Sequence, residues 1–347
     1  MNFYKKQHNF YCGIDLHAKT MYICIIDSYG HVKLHKNIKT STSELLKAIT
    51  PFNNNLVIGV ECMFAWYWIA DFCEDHNINF VLGHALYMKA IHGAKAKNDK
   101  IDSYKIAHLL KGGTFPTAFT YPKKMRATRD LLRRRMHLMR KRAELLAHIH
   151  NTNTQYNNSP IAKNLRYKHN RPLLDNRFID ESAQKSVDLD IQLIEFYDKQ
   201  LYQVETFIKN HAKINDYLSY MLLRSIPGIG KIIGLVILYE ICDINRFKSV
   251  NNFASYARLV KCKAESAGKS YGNSGAKIGN AHLKWAFSEA AVISLRGNQK
   301  IKHFLDKHTK KHNKAKALSI LAHKLGRAAF FILKRKEPFD MNVFIPD

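Results

Sequence analysis

Short apolar runs fill the first third of the chain, and longer helical periods follow. Residues 10–15, 21–27 and 56–61 are dominated by apolar side chains, 31–38 alternates, and 80–83 is a brief apolar stretch. Runs of this length, bounded by Gly, Ser and Asn, predict five strands. Ser28-Tyr-Gly30 is the turn between the second and third. The run 56–61 is apolar enough to be buried on both faces. Residues 65–76 and 100–111 carry helical spacing, and Gly112-Gly113 ends the second helix. A hairpin-rich start followed by alternating strands and helices predicts an α/β sheet domain over 8–118.

The period then changes. Leu132, Met136, Met139, Ala143 and Leu146 repeat at spacings of 4, 3, 4, 3. Ile194, Tyr197, Leu201, Val204 and Ile208 repeat at 3, 4, 3, 4. Two such seams predict a coiled-coil-like arm over 119–216, as an antiparallel hairpin or a dimerising element. The Asn-rich stretch 151–182 between them is expected to be a loop. A third part, 217–347, is expected to be mostly helical. It opens on Ser225-Ile-Pro-Gly-Ile-Gly230, continues into an apolar helix at 231–241, and passes through a Gly/Ser/Lys-rich stretch at 265–280. Helices at 281–295 and 315–335 follow.

Composition changes this picture in one respect. The apolar share, 46%, is ordinary for a globular chain of 347 residues, which has room for two or three domains. The charge is not ordinary. Lys plus Arg number 55 against 28 acids, a net +27. That excess repels itself unless a polyanion is the partner, and nucleic acid is the leading candidate ahead of a membrane surface. No run is long and apolar enough to span a membrane, and 1–9 lacks a signal-peptide core, so a cytoplasmic, nucleoid-associated protein is expected. Cys12, Cys24, Cys62, Cys73, Cys242 and Cys262 form no CxxC pair and read as reduced thiols.

Four acids carry the candidate chemistry. Asp15 and Glu61 each end an apolar strand-like run, where a carboxylate is costly unless a cation offsets it. Asp99 and Asp102 are three apart at the start of a helix and share one side of it. Singly, each acid is most often a turn or capping residue. As a set they can surround Mg²⁺ or Mn²⁺, the chemistry that cuts phosphodiesters. His17, two residues past Asp15, is expected to pack or to meet phosphate rather than metal.

The run 123–142 holds ten Lys/Arg and one acid, Asp130. Lys123, Lys124, Arg126, Arg129, Arg133, Arg134, Arg135 and Arg140 are the expected backbone contacts to nucleic acid. The Ile226-Pro-Gly-Ile-Gly230 segment reads as a helix-hairpin-helix turn. Gly228 and Gly230 there let backbone N–H groups approach a phosphate without reading sequence. The bland alternative is a packing turn between two helices.

These residues carry a resemblance. Gly13-Ile-Asp-Leu-His17, then Gly59-Val-Glu61, then Lys97-Asn-Asp-Lys-Ile-Asp102 resembles the DEDD insertion-sequence transposases with a RuvC-like N-terminal domain. These are the bridge-RNA-guided recombinases, and they include Piv-type DNA invertases. Ser225-Ile-Pro-Gly-Ile-Gly230, Phe253-Ala-Ser-Tyr-Ala257, Ser266-Ala-Gly-Lys269 and Lys277-Ile-Gly-Asn280 resemble the family's C-terminal transposase domain. The resemblance implies an RNase H-like fold for the first domain and DNA recombination guided by a structured RNA. It also implies a homo-oligomer, dimer to tetramer, in which sites combine domains from different protomers. The nucleophilic serine it implies is Ser266, although Ala267 departs from the family's Gly-Gly-Lys, and Ser270 and Ser274 stand close by. Lys269 and Lys277 are the expected phosphate-stabilising cations. Two alternatives remain at this point: a RuvC-like nuclease using metal-activated water, and a non-enzymatic nucleic-acid-binding protein whose acids are structural.

Overall fold

All five expected strands form in the computed structural model, which describes residues 2–91, 98–212, 216–261, 265–270 and 278–346. The chain divides into two compact units, Met1–Lys123 and Lys124–Asp347. The arm and the C-terminal part expected as separate domains both fall in the second unit.

The first unit is built on a mixed sheet. Its strands are β1 (Phe10–Leu16), β2 (Thr20–Asp27) and β3 (Val32–Lys39), then β4 (Leu56–Glu61) after helix α1 (Thr42–Ile49), and β5 (Asn79–Gly83) after α2 (Trp66–Asp75). The order is β3-β2-β1-β4-β5. β1, β2 and β3 are antiparallel neighbours, whereas β4 runs parallel to both β1 and β5. Helices α3 (Ala85–Ile91) and α4 (Asp99–Lys111) complete the unit. A sheet of this order with helices on both faces is consistent with an RNase H-like α/β domain.

Alternation along the strands assigns the two faces. Cys12, Ile14, Ile23, Ile25, Ile58 and Val60 pack against Leu45, Ile49, Trp66 and Ile69 of α1 and α2. Tyr11, Cys24, Ile26 and Val57 pack against Ile106, Ala107 and Leu110 of α4. Gly13 lies on the α4 face, and it is what lets α4 approach. A Cβ at Gly13 would stand 2.2 Å from the Ser103 carbonyl oxygen and 2.4 Å from the Ala107 nitrogen. The helix backbone therefore rests on the strand itself.

The second unit begins with two long helices, α5 (Lys123–Gln155) and α6 (Glu181–His211). Arg135 pairs with Glu205, Arg142 with Asp198 and His148 with Asp190, so the helices run antiparallel. The stretch 151–182 is not the plain loop expected from its composition. α5 continues to Gln155, a 3-10 turn forms at Lys168–Leu174, and Leu165, Leu174 and Phe178 are buried with Ile149, Val187 and Ile194. A few apolar anchors suffice because Arg171 binds Asp198 and Arg177 binds Asn153, drawing the polar segment onto the helices.

The remaining core surrounds α8 (Lys231–Ile241), which follows α7 (Tyr217–Arg224). Every residue of α8 from Ile233 to Ile241 is buried, as its apolar sequence requires. After α9 (Val250–Tyr256) and a two-residue hairpin, β6 (Glu265–Ser266) with β7 (Lys269–Ser270), the chain forms α10 (Ala281–Ile293), α11 (Gln299–Thr309), α12 (Lys314–Arg335) and α13 (Met341–Phe344). Leu283, Phe287 and Ala290 of α10 and Leu321, Leu325 and Phe330 of α12 share one core with α8. Among the described residues no helix is long and apolar enough to cross a membrane.

Candidate active site

Asp15 and Glu61 occupy neighbouring strands. The parallel register pairs Ile14 with Val60, so Asp15 and Glu61 follow side by side toward the carboxyl ends of β1 and β4. Adjacent strands lie about 4.8 Å apart. Both acids share the strand parity of Gly13 and Gly59, which face α4. In open α/β sheets the carboxyl ends of parallel strands are where ligands bind.

The helix brings the other two acids. Asn98 caps α4, its side chain accepting from the Ile101 N–H at 2.8 Å, and this fixes Asp99 and Asp102 in the first turn. Direct seating of α4 on Gly13 then draws that turn over the end of β1. Asp99 and His17 close the set: His17 Nε2 lies 3.5 Å from Asp15 Oδ2 and 3.4 Å from Asp99 Oδ2. One ligand atom each from Asp15, His17 and Asp99 falls within 4.8 Å of the others.

The electrostatics agree with crowding of negative charge. Burial pushes the Asp15 carboxyl above the usual carboxylate range; His17 pulls it back, and Asp99 and Asp102 raise it further. A partly desolvated carboxylate facing two others is relieved by a hard cation. The donor set, oxygen-rich with one imidazole, fits a divalent ion such as Mg²⁺ or Mn²⁺. His17, expected to pack or to meet phosphate, stands between Asp15 and Asp99 with its side chain about half exposed. The signal was available: positions 15 and 17 share one side of an extended chain.

The basic run meets its surroundings unevenly. Lys124, Arg134 and Arg140 are exposed, and Lys123 is exposed beside Asp71 at 3.7 Å. Arg126 and Arg129 are buried. Arg129 and Arg133 both bind Glu240, at 3.0 and 2.6 Å, and Arg135 binds Glu205 at 2.7 Å. Glu240 and Glu205 thus set two carboxylates against the three guanidinium groups of Arg129, Arg133 and Arg135. Glu240 was missed by sequence reasoning, yet a lone acid in the apolar helix at 231–241 is the mark of a buried partner.

Gly228 adopts φ +86°, and a Cβ there would stand 2.1 Å from the Ala290 carbonyl oxygen, so packing against α10 demands glycine. Gly230 is the N-cap of α8 at φ −82°, with open space where a Cβ would go. Ser266 and Lys269 pair across the β6–β7 hairpin, and Ala267 and Gly268 turn it at φ +49° and +73°. Ala267 is thus the non-glycine residue in a left-handed turn position, which costs about 1 kcal/mol. Lys269 is exposed. Lys277 and Ser274 lie outside the described residues. Beyond them the chain is anchored: Arg258 Nε donates to the carbonyls of Ile278 and Gly279, both at 3.0 Å.

Comparison with known families meets this geometry at both ends of the chain. Residues 12–158 match the DEDD transposase domain of IS110 type, and residues 220–306 match the family described as Transposase IS116/IS110/IS902. No curated protein matches the chain. Two domains of one family, in the family's order and together spanning about two thirds of the sequence, identify the chain as a member of the IS110 family of DNA transposases.

Proposed function

We propose that this transposase cuts and rejoins DNA through a covalent phosphoserine at Ser266, with Asp15, Glu61, Asp99 and Asp102 holding Mg²⁺ or Mn²⁺ at the scissile phosphate and a structured RNA specifying the target. The observation that carries the metal half is the meeting of Asp15 and Asp99 around His17 Nε2, with Glu61 one strand away. A bound divalent ion supplies Lewis-acid polarisation of the phosphate. The acids orient it and keep the site negative enough to attract it. His17, when neutral, adds a nitrogen donor; when protonated, it offsets part of the acidic charge.

The serine half rests on energy balance. Strands are rejoined without an external energy source only if the broken phosphodiester is stored in a new bond. The Ser266 hydroxyl gives up its proton as its oxygen attacks phosphorus. The P–O bond to the leaving sugar breaks, and that oxygen takes up a proton. Attack by a second sugar hydroxyl reverses the sequence and frees the serine. Lys269, beside Ser266 in the hairpin, balances phosphate charge, as does Lys277 in this reading. Gly228, Gly230 and the exposed Lys123, Lys124, Arg134 and Arg140 hold nucleic-acid backbone; Arg126, Arg129, Arg133 and Arg135 shape the helix that carries them.

Ser266→Ala is expected to retain DNA and RNA binding and to lose recombination and the covalent adduct. Mass spectrometry of a reaction trapped on nicked substrate reads this directly. An adduct on Ser270 or Ser274 would move the nucleophile; recombination by Ser266→Ala with no adduct on any serine would favour metal-activated water.

The protein acts as a homo-oligomer in this reading. Leu189, Leu193, Phe196 and Phe207 of α6 are exposed, and their spacings of 4, 3 and 11 put them on one helical side, away from buried Ile194, Leu201 and Ile208. A second copy of the chain is the natural cover for such a stripe. Leu193→Lys with Phe196→Lys should shift the oligomer toward monomer in light scattering without lowering the melting temperature. An unchanged mass would remove α6 as the contact.

A further inference from the structure

We infer that the corner where α11 meets α12 is a docking surface for duplex DNA, holding the phosphate backbone through unpaired lysines. The inference rests on the chain acting on DNA, and not on the roles proposed for α5, Gly228 or Gly230.

Along α5 and α6 many cations meet acids: Arg129 and Arg133 at Glu240, Arg135 at Glu205, Arg142 and Arg171 at Asp198. The stretch 299–316 is different. It holds seven lysines and three histidines against one acid, Asp306. Lys302, Lys307, Lys310, Lys311, Lys314 and Lys316 are exposed, and none makes a side-chain ion pair among the described residues. Lys314 and Lys316 also stand in the first turn of α12, which holds no acid and where the helix dipole disfavours a cation. Lysines kept against mutual repulsion and against the dipole are relieved by a polyanion.

The charges converge on one place. Burial holds His308 below the ordinary histidine range, and His312, Lys311, Lys307 and Lys324 lower it further. Lys324 belongs to α12, yet its Nζ lies 5.6 Å from the centroid of the Phe304 ring on α11, so both helices feed one field. The corner is also ordered in advance. Asn298 caps α11, Asn313 caps α12, and the His308 carbonyl accepts from the Lys311 and His312 N–H groups at 3.2 and 3.0 Å. Ile301 shares a core with Leu321 and Leu325. A backbone already fixed loses little entropy on docking. The side chains select the ligand. No Phe, Tyr or Trp ring is exposed among the described residues of 299–327, so an unstacked base finds no platform there. No arginine stands between Arg296 and Arg327, so the forked recognition of guanine edges is absent. Lysine is a point charge that holds phosphate and leaves the base sequence unread. DNA is the duplex on which a transposase of this family acts.

The test uses the full-length protein with short DNA duplexes of two unrelated sequences, the matching RNA duplexes, and the single DNA strands. One variant changes Lys307, Lys310, Lys311 and Lys314 together to Gln. A control changes Lys5, Lys6, Lys185 and Lys199 to Gln, exposed lysines elsewhere, so both lose the same formal charge. The corner variant should melt at or above the temperature of the unaltered protein, because like charges are relieved. It should bind both DNA duplexes at least about tenfold more weakly, and the slope of log affinity against log salt should flatten by about 2 or more, at about 0.9 per phosphate contact. The control should keep the slope and most of the affinity. The same four corner lysines changed to Arg should bind as the unaltered protein does, since the backbone reads charge. Unchanged duplex affinity and slope in the corner variant, an equal loss in the control, failure of the Arg variant to bind, or a loss confined to the RNA duplexes or the single strands would each overturn the inference. An unaltered protein that retains no DNA duplex would overturn it as well.

Discussion

Asp15→Ala and Asp102→Ala are each expected to abolish strand cleavage by this transposase while leaving nucleic-acid retention in place. The expected loss is at least about a thousandfold, because metal-assisted charge stabilisation is worth several kcal/mol and each 1.36 kcal/mol is tenfold in rate. The structure adds a stability signature that a merely structural acid would not give. Burial disfavours the Asp15 carboxylate, and Asp99 and Asp102 oppose it further. Asp15→Asn should therefore melt at or above the temperature of the unaltered protein when both are measured without divalent ions. With Mn²⁺ present, the unaltered protein should gain melting temperature and the Asp15→Asn variant should not. Cleavage assays on supercoiled substrate, gel retention and thermal melts in both conditions decide it. Retained cleavage by both alanine variants would end the case for a DEDD metal site here.

Much of that site was legible in the sequence, and the reason is local. Asp15 and Glu61 close apolar runs, and period two sets each on the same face as a nearby glycine. Asp99 and Asp102 follow from helical spacing. What sequence could not supply was the pairing between strand and helix. Gly13 looks like any strand glycine until the Ser103 carbonyl is found against it. The basic run at 123–142 was only partly legible for a related reason. Charge density is visible along the chain, but the carboxylates that absorb it are not. Glu240 lies 107 residues from Arg133 and Glu205 lies 70 from Arg135, so the ion pairs these arginines make inside the unit could not be read from the run itself. The stretch 151–182 hid its fold because Leu165, Leu174 and Phe178 are too sparse to make a period. Burial there depends on partners in α5 and α6.

The largest stability effect is expected at Glu240. Its side chain is 3% exposed and accepts from Arg129, from Arg133 at 2.6 and 2.9 Å, and from Asn280 Nδ2 at 2.7 Å. Desolvation alone would raise this carboxyl, but the Arg133 and Arg129 cations and Asn280 outweigh it and hold it below the usual range. Glu240→Ala leaves two guanidinium groups facing a pocket without a counter-charge, a loss of about 3–5 kcal/mol for breaking a buried pair from one side. That is a large part of the roughly 5–15 kcal/mol that holds a domain together. The pH dependence has a definite sign. A group whose folded pKa is depressed contributes stability above its unfolded value, about 4.3 for Glu, and loses it as pH falls through the lower folded value. The unaltered protein should therefore lose more stability than Glu240→Ala between pH 5 and pH 3, bringing their denaturation midpoints together. Urea titrations at pH 7, 5 and 3 measure it, and equal midpoints at pH 7 would refute the network. A consequence for activity follows from Asn280, whose Oδ1 caps α10 while its amide holds Glu240. The Gly/Ser/Lys-rich stretch carrying Ser266 ends at this residue. Loss of Glu240 should therefore loosen one anchor of the segment that carries the proposed nucleophile, and recombination should fall even at temperatures where the variant remains folded.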